Sequence, residues 1–250
     1  MTFITRFAPS PTGPLHLGHA YSDLLAHDMA LANGGDFLLR IEDIDQSRAR
    51  DQWETQIFED LSWLGLHWQT PVMRQSEQLA RYQAALEYLW VSGVLYPCIC
   101  TRRDIETAAS APQEGAPLFG PDGLIYPKTC KATMDFDQAL SGQSPVPDGA
   151  ALRLDMQRAC DRPFDFDHRI TSTKTSENWT IGFTETGQSP DGDTGRIEFT
   201  ATELINTIGD ILLSRRGMAT SYHLSVVLDD AAQGVTHVVR GQDLFEATKI

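Results

Sequence analysis

Two histidines near the amino terminus, His16 and His19, stand where a proline-rich loop gives way to apolar residues at helical spacing. The first turn of a helix leaves backbone N–H groups unpaired and carries a partial positive charge, which suits a phosphate. Two imidazoles at positions i and i+3 share one face and add donors for the same anion, and Gly18 between them allows a planar ligand close to the backbone. The arrangement is typical of a nucleotide triphosphate site, although a bare His-x-Gly-His is more often structural or solvated.

Three of the four cysteines, Cys98, Cys100 and Cys130, fall within one stretch of 33 residues. In a chain without a secretory signal this spacing indicates a metal rather than disulfides, and thiolates suit tetrahedral zinc. A fourth ligand is then needed, and no histidine lies nearby. The oxygen donors close to the cysteines are Tyr126, Asp122 and Asp104. Cys160 is predicted to be an ordinary free thiol.

A strand, a helix and a second strand must position the histidine pair. Residues 2–8 are β-prone and end at "PSPTGP", residues 15–33 carry the helical pattern up to "NGG", and "DFLLRIED" at 36–43 is typical of a buried strand. This order predicts the parallel sheet of an α/β, Rossmann-like nucleotide-binding domain. Two further helices are predicted at 50–64 and 76–92.

The composition changes after about residue 96, where Pro, Gly, Ser, Thr and Asp become frequent and the periodic patterns become short. This change predicts a smaller, irregular α+β insert at 97–217 that interrupts a catalytic domain formed by 1–96 and 218–250. Within the insert, the polar stretch 171–198 is predicted to be a mobile loop.

The last segment has two apolar runs, at 222–228 and 235–239, separated by a polar turn. Both runs are short and rich in valine, which favours strands.

The formal net charge of -14 at pH 7 argues against a surface covered with nucleic-acid contacts. The pairs Arg102-Arg103 and Arg215-Arg216 allow a local basic track, although a solvated surface is the plainer interpretation. No apolar run approaches a membrane span, and the amino terminus does not look like a signal peptide. We therefore expect a soluble, cytoplasmic, monomeric protein with neither a membrane nor DNA as a partner.

Several motifs resemble those of the class I glutamyl-tRNA synthetase family: "RFAPSPTGPLHLGHA", "LLRIEDID", "LSWLGLHW" and "THVVRGQDL". The resemblance covers most of 3–130 and 209–249, whereas 131–200 match loosely. The family's ATP-binding "HIGH" motif corresponds to residues 16–19, and the resemblance gives His16 and His19 the catalytic role of stabilising phosphates, with Mg²⁺ accompanying ATP. The ATP-binding residues implied by the resemblance are Pro9, Ser10, Gly13, His16, Gly18 and His19.

Glutamate carries two carboxylates and one ammonium group, so a selective site needs cations for the former and an anion for the latter. Arg6 and Arg240 can each hold a carboxylate through the guanidinium fork, and Glu42 can hold the amino group. These residues would meet at the carboxyl ends of parallel strands, where open α/β sheets bind ligands. The resemblance implies that the glutamate-binding residues are Arg6, Phe7, Ala8, Pro9, Ser10, Glu42, Tyr222 and Arg240. Without the resemblance, the charged residues would be interpreted as ordinary surface ion pairs.

Some members of the family carry zinc on Cys-x-Cys followed by Tyr-x3-Cys. Cys98, Cys100, Tyr126 and Cys130 reproduce that pattern, which implies one structural Zn²⁺ per chain. By the same resemblance, the insert would touch the acceptor end of tRNA.

Three relatives share these motifs: glutamyl-tRNA synthetase, glutaminyl-tRNA synthetase and the short glutamyl-queuosine tRNA(Asp) enzyme. The zinc pattern together with "VVRGQDLFEAT", where full-length glutamyl enzymes more typically show "RGEDH", favours the short form. The implied partners are ATP, L-glutamate and tRNA(Asp) bearing queuosine. Two alternatives stay open: a fragment of an ordinary glutamyl-tRNA synthetase, and an inactive zinc-containing RNA-binding module.

The family's second signature, a lysine-rich "KMSKS" loop, has no counterpart among residues 201–250. Its lysines normally neutralise the charge that develops on pyrophosphate. We therefore expect that the sequence is truncated before this loop and that the chain as it stands activates glutamate weakly or not at all.

Overall fold

A computed structural model describes residues 2–109, 119–131, 145–147, 150–161, 173–175 and 178–250. The chain forms two compact units: Met1–Ala84 with Met218–Gly241, and Ala85–Gly217 with Gln242–Ile250. Among the described residues, no helix combines the length and apolar character needed to cross a bilayer.

The compact units differ from the sequence-based domains at two places. Residues 85–96 and 242–250 belong to the second unit. The first segment leads into a strand that pairs within that unit, and the Gln242 side chain donates to the backbone oxygen of Ser189 at 2.7 Å. The functional domain boundaries stay a prediction.

The first unit is built on a parallel three-stranded sheet in the order β1 (Ile4–Phe7), β2 (Asp36–Ile41) and β3 (Met73–Arg74). Helix α1 (Leu17–Ala32) connects β1 to β2. The predicted parallel α/β arrangement is confirmed, and β1 and β2 both end at the edge where Arg6 and Glu42 lie.

Two helices follow β2, as predicted. Helix α2 (Asp51–Trp63) and helix α3 (Leu79–Val91) lie within the predicted ranges, and a 3₁₀ turn at Gln75–Gln78 precedes α3. The apolar faces of α1, α2 and the strands form one core, whose buried residues are Phe7, Ala26, Ala30, Phe37, Leu39, Ile41, Ile57, Leu61 and Leu66.

The predicted strand at 222–228 is wrong, because these residues begin helix α7 (Tyr222–Gln233; α5 and α6 belong to the second unit). The Ser221 side chain caps its first turn by accepting from the Leu224 N–H, and Gly234 ends it with a left-handed φ of 67°. A short apolar run does not by itself distinguish a buried helix from a strand.

The predicted strand at 235–239 is also wrong, although these residues contact β1. The backbone N–H groups of Thr236 and His237 both donate to the Ile4 oxygen, at 3.0 and 3.1 Å. The Thr236 hydroxyl accepts from the Ile4 N–H at 2.8 Å. A side chain thus takes the place of a backbone ladder partner, so no regular strand forms.

The second unit contains an antiparallel sheet in the order β11 (Leu212–Ser214), β7 (Ala151–Leu154) and β4 (Leu95–Cys98). Helix α4 (Arg102–Ala109), the hairpin of β5 (Phe119–Gly120) and β6 (Gly123–Leu124), and helix α5 (Met156–Asp161) complete its first part.

A second antiparallel sheet follows, in the order β10 (Gly195–Thr200), β9 (Asn178–Glu185) and β8 (Thr173–Thr175). The predicted mobile loop at 171–198 is therefore wrong for most of its length, while residues 171–172 and 176–177 lie outside the described residues. Alternating residues such as Ile181 and Phe183 on β9 give the pattern of a strand, and the Phe183 ring packs near that of Phe199 on β10.

Short helical segments end the second unit. A helical turn, α6 (Ala201–Glu203), continues into a π-helical turn at Leu204–Ile208. Two 3₁₀ turns, at Gln242–Leu244 and Glu246–Lys249, close the described chain.

Candidate active site and metal centre

The two histidines cap helix α1 together. The His16 Nδ1 accepts from the backbone N–H groups of Gly18 and His19 at 3.1 and 3.4 Å, and the His19 Nδ1 accepts from the His16 N–H at 3.3 Å. The two rings stack with their centroids 3.8 Å apart and an interplanar angle of 21°. The predicted shared face is thus present in the structure.

This capping arrangement determines where the imidazoles can donate. Because both Nδ1 atoms accept backbone N–H groups, each neutral ring carries its proton on Nε2. Burial, followed by the neighbouring His16, lowers the pKa of His19 below its ordinary value. The pair therefore offers two neutral Nε2–H donors, which suits phosphate oxygens without requiring a charged imidazole.

The lack of a side chain at Gly18 makes room for the His16 ring. A Cβ at this position would lie 3.1 Å from Cε1 of the His16 ring, so glycine allows the stacked histidine cap to form. At Gly13, by contrast, no atom lies within 4 Å of an added Cβ. The loop between β1 and α1 is tied to β2, since the Glu42 N–H donates to the Pro9 oxygen at 2.9 Å, while Ser10 is exposed and Ala8 half-buried.

Five of the predicted glutamate-binding residues carry polar or charged side chains, and all five lie in the first unit. Arg6 and Glu42 are each only 8% exposed, whereas Tyr222, on the first turn of α7, is 44% exposed. Burial, and then the charge of Glu42, raises the pKa of Tyr222, while Arg240 and Arg6 oppose this effect. The phenol therefore lies within electrostatic range of the charged groups expected of the pocket. The Phe7 ring packs edge to face against the His19 ring, with their centroids 6.2 Å apart.

Sequence reasoning missed the residue that connects these groups, Arg40. Its side chain is fully buried on β2 and donates to Glu42 at 3.1 Å and to Asp230 at 2.6 Å. Asp230 in turn accepts from two nitrogens of Arg6, both at 3.2 Å. The signal in the sequence was an arginine inside the apolar run "FLLRI", because a buried cation needs a carboxylate partner.

Burial and charge act in opposite directions on this cluster. Burial lowers the pKa of Arg40, but Glu42 and Asp230 outweigh it and raise that pKa above its ordinary value. Burial also raises the pKa of Glu42, against the effect of Arg40 and Arg6. The arginine therefore stays charged, whereas burial favours the neutral form of Glu42 and the two arginines offset only part of that effect.

The three predicted cysteine ligands converge in the second unit. The sulfur atoms of Cys98, Cys100 and Cys130 all lie within 4.8 Å of one another, with 3.3 Å between the Sγ atoms of Cys100 and Cys130. The Tyr126 hydroxyl oxygen is 3.5 Å from the sulfurs of both Cys98 and Cys100. Three sulfurs and one oxygen around one point match the donor set of a tetrahedral zinc site.

The electrostatics of the cluster favour a thiolate at one position. Burial alone would raise the pKa of Cys130, but hydrogen bonds from Tyr126 and from backbone N–H groups lower it to about 7. Burial raises the pKa of Cys100 to about 11, and burial likewise raises that of Tyr126. The guanidinium carbon of Arg153 lies 3.7 Å from the centroid of the Tyr126 ring and so fixes its face.

Of the other oxygen donors considered for the fourth ligand, Asp104 is already used. Its carboxylate accepts from the Thr101 N–H at 2.7 Å and caps the start of α4. Cys160 lies buried on α5 and is not part of the cysteine cluster found among the described residues.

Comparison with known proteins decides the family. A family model described as tRNA synthetases class I (E and Q), catalytic domain, matches residues 2–117. The glutamyl-Q tRNA(Asp) synthetase of Rhodobacter capsulatus is 57% identical over 247 residues, which are 99% of this chain and 79% of that protein. The chain belongs to the glutamyl-Q tRNA(Asp) synthetase family. Another protein of that name, from Rhodopirellula baltica, is 36% identical over 98% of this chain and 66% of its own length.

Solved structures place this family member in the class I synthetase fold. The crystal structure of a glutamate tRNA ligase from Elizabethkingia meningosepticum, in complex with its amino acid, aligns with a TM-score of 0.66 at 23% identity. The glutamate-tRNA synthetase of Elizabethkingia anophelis aligns with a TM-score of 0.64 at 24% identity. This chain is covered to 99% and 97%, respectively, but it spans only 45% of either solved chain.

Proposed function

We propose that this protein activates glutamate with ATP and transfers the glutamyl group to queuosine of tRNA(Asp). The observation that carries the proposal is one compact unit that holds both a histidine pair at a helix start and charges of both signs around Tyr222. The 57% identity to a relative with that name supports the choice of acceptor.

In the first step, an oxygen of the glutamate α-carboxylate attacks the α-phosphorus of ATP. The bond from this phosphorus to the oxygen that bridges it to the β-phosphate breaks, and pyrophosphate leaves with that oxygen. The Nε2–H groups of His16 and His19 donate to phosphate oxygens as their charge changes. No protein nucleophile takes part, so orientation of the two substrates supplies much of the acceleration, up to roughly 7–11 kcal/mol in favourable cases.

The charged groups of the pocket orient glutamate for this attack. Arg6 and Arg240 hold carboxylates through their guanidinium groups, and Glu42 accepts the ammonium group. The loop residues Phe7 to Ser10 line the approach from β1 toward the histidines. Glutamine lacks the second carboxylate, so it would lose one charge-assisted contact with an arginine and is selected against.

In the second step, a hydroxyl group of queuosine attacks the glutamyl carbonyl carbon. The bond from this carbon to the phosphate oxygen breaks, AMP leaves with that oxygen, and the hydroxyl proton passes to solvent. Because the acceptor is a tRNA, we assign the reaction to the cytoplasm.

Two metals belong to the proposal. Mg²⁺ bound with ATP supplies neutralising charge on the phosphates. Cys98, Cys100, Tyr126 and Cys130 hold one Zn²⁺ in a structural site, since a complete set of four protein ligands leaves no open position for a substrate. The convergence of the three sulfurs within 4.8 Å supports this assignment.

The test is glutamate-dependent exchange of pyrophosphate into ATP, using protein expressed from its complete gene. Exchange without any tRNA is the expected result. Exchange that requires tRNA(Glu) indicates an ordinary glutamyl-tRNA synthetase instead. Absence of exchange both with and without tRNA contradicts an activating enzyme and leaves the RNA-binding module.

A further inference from the structure

We propose that Asp230 is a positioning residue that sets the separation between Arg6 and Glu42, and so determines which amino acid the site accepts. Asp230 contacts Arg6 directly and is linked to Glu42 through Arg40. Neither Asp230 nor Arg40 is among the residues assigned to substrate binding. The inference rests on the proposed function of the glutamate pocket and adds the part of the protein that fixes its dimensions.

The contact between Asp230 and Arg6 is a two-point contact. The Arg6 Nε donates to one carboxylate oxygen and Nη2 to the other, both at 3.2 Å. Such a fork fixes the plane of the guanidinium as well as its position. It uses the Nε edge of Arg6 and leaves Nη1 as the nitrogen for a further carboxylate.

Arg40 extends this contact to Glu42. Its Nη1 donates at 2.6 Å to Oδ1 of Asp230, the oxygen that also accepts from Nε of Arg6, and at 3.0 Å to the Gln233 side chain. Its Nη2 donates to Glu42 at 3.1 Å. The side chain of Arg40 is fully buried. The order Glu42, Arg40, Asp230, Arg6 is therefore one continuous ion-pair series, with a predicted substrate contact at each end.

The two guanidinium groups of the ion-pair series face the carboxylates of Glu42 and Asp230, and Nε of Arg40 also lies 3.9 Å from the buried Asp229, which pairs with Arg81. Burial strengthens each contact, and removal of one partner would leave another charge uncompensated. The series therefore has few alternative geometries.

A fixed distance matters because the side chain of glutamate is one methylene longer than that of aspartate, so its carboxylate reaches farther from the amino group. Displacement of a binding group by about 1 Å can reduce a rate by about 10²-fold. A rigid link between the group that accepts the ammonium and the group that holds a carboxylate would favour glutamate over the shorter aspartate and over neutral glutamine.

The variant Asp230→Asn tests this inference, because it keeps the shape of the side chain and replaces one fork oxygen with a donor. We expect the KM for glutamate in pyrophosphate exchange to rise about tenfold or more, since charge-assisted hydrogen bonds are the strong ones. The KM for ATP should stay within about twofold and kcat within about threefold. The preference for glutamate over glutamine and aspartate should fall.

Glu54→Gln is the matched control. Glu54 accepts from Nε and Nη2 of Arg74 in the same unit, so the substitution makes the same chemical change at another arginine. It should lower the melting temperature slightly and leave the KM for glutamate unchanged. Asp230→Glu restores the charge, and its KM for glutamate should lie between those of the wild type and Asp230→Asn.

A wild-type KM and selectivity in Asp230→Asn, together with a loss of melting temperature like that of Glu54→Gln, would overturn the inference and leave Asp230 as a structural residue. If Asp230→Asn does not fold, Asp230→Glu decides alone: a KM rise of at least about threefold supports the inference, and a wild-type KM contradicts it. Failure of the proposed function is a distinct result, because the wild-type protein would then show no glutamate-dependent exchange.

Discussion

The candidate glutamate pocket and the cysteine cluster are stabilised in opposite ways. The pocket is held by contacts between residues far apart in the sequence, such as Arg6 with Asp230 and Arg40 with Asp230, separated by 224 and 190 residues. The cysteine cluster joins residues within a single stretch of 33 residues, and two of its three thiols are only half-buried. The pocket therefore depends on the fold of its unit, whereas we expect the cluster to gain stability from a metal held by its three sulfurs, which lie within 4.8 Å of one another.

The difference has a consequence for each unit. In the pocket, every described carboxylate and guanidinium of the ion-pair series has an opposite charge as a neighbour without any ligand. In the cluster, the thiols of Cys98, Cys100 and Cys130 have mainly one another and Tyr126. Metal removal should therefore affect the second unit, and substitutions on β1, β2 or α7 should affect amino acid binding.

The largest expected effect follows Cys98→Ser. Loss of one thiolate from a four-ligand site should reduce bound zinc from about one per chain to nearly none and destabilise the second unit, since metal binding contributes directly to folding. Elemental analysis and thermal melting measure both changes. Cys160→Ser removes a buried cysteine outside the cluster and is the control; equal zinc content in Cys98→Ser and wild type would refute the site.

The next effect concerns the histidine pair. His19→Ala removes one Nε2–H donor and part of the α1 cap, so kcat of pyrophosphate exchange should fall about 10²-fold or more, as for other donors to transition-state charge. The protein should still gain thermal stability from glutamate alone. His67→Ala, at an exposed position, is the control, and an unchanged kcat in His19→Ala would remove this histidine from the mechanism.

A moderate effect should follow Arg153→Met. The Arg153 guanidinium lies over the Tyr126 ring and its Nη1 donates to the Asp210 backbone oxygen at 2.8 Å, so the arginine fixes the ring beside the sulfurs. Outer-shell partners of this kind typically change metal affinity by about 10–100-fold. Competition with a chromophoric chelator measures the loss. Arg158→Met removes another arginine of the same unit and should bind zinc like wild type. A wild-type zinc affinity in Arg153→Met would show that the Tyr126 ring does not need the Arg153 side chain to hold its position.

The smallest effect concerns a buried carboxyl group on α1. Asp23 is fully buried, and burial raises its pKa from 3.8 to about 6, while one of its oxygens has no hydrogen-bond partner among the described residues. The unfolded chain therefore loses this proton at a lower pH than the folded chain. The folded state is penalised progressively as the pH rises from about 4 to 6, and the penalty is constant above that range.

Asp23→Ala should remove this penalty. Its melting temperature relative to wild type should increase between pH 4 and pH 7. Thermal melts across this range, with the exposed Glu59→Ala on α2 as the control, measure the effect. A difference that stays constant with pH would show that Asp23 does not titrate in this way.

The regular part of the first unit could be predicted from the sequence, because strand, helix and loop signals are local. The positions of β1, α1 and β2 follow from the apolar pattern and from "PSPTGP" and "NGG". The helix α7 could not be separated from a strand, since the run "SVVL" has no decisive period. The contacts of Arg40 could not be predicted either, because its partner Asp230 lies 190 residues away and only the fold brings the two together.

The site residues also divide into features that the local sequence predicts and features that depend on the fold. The spacing of Cys98, Cys100 and Cys130 predicts a cluster, whereas it leaves Tyr126, Asp122 and Asp104 open as the oxygen donor, and only the resemblance selects Tyr126. The spacing of His16 and His19 predicted a shared helix face but not the capping box, which depends on the orientation of the rings.

The most direct test of the account is transfer of labelled glutamate by protein from the complete gene to tRNA(Asp) isolated with and without queuosine. We expect stable, ATP-dependent labelling of the queuosine-containing tRNA(Asp) and no labelling of the same tRNA that lacks queuosine. Equal labelling of both preparations, or labelling of tRNA(Glu) in their place, would contradict it.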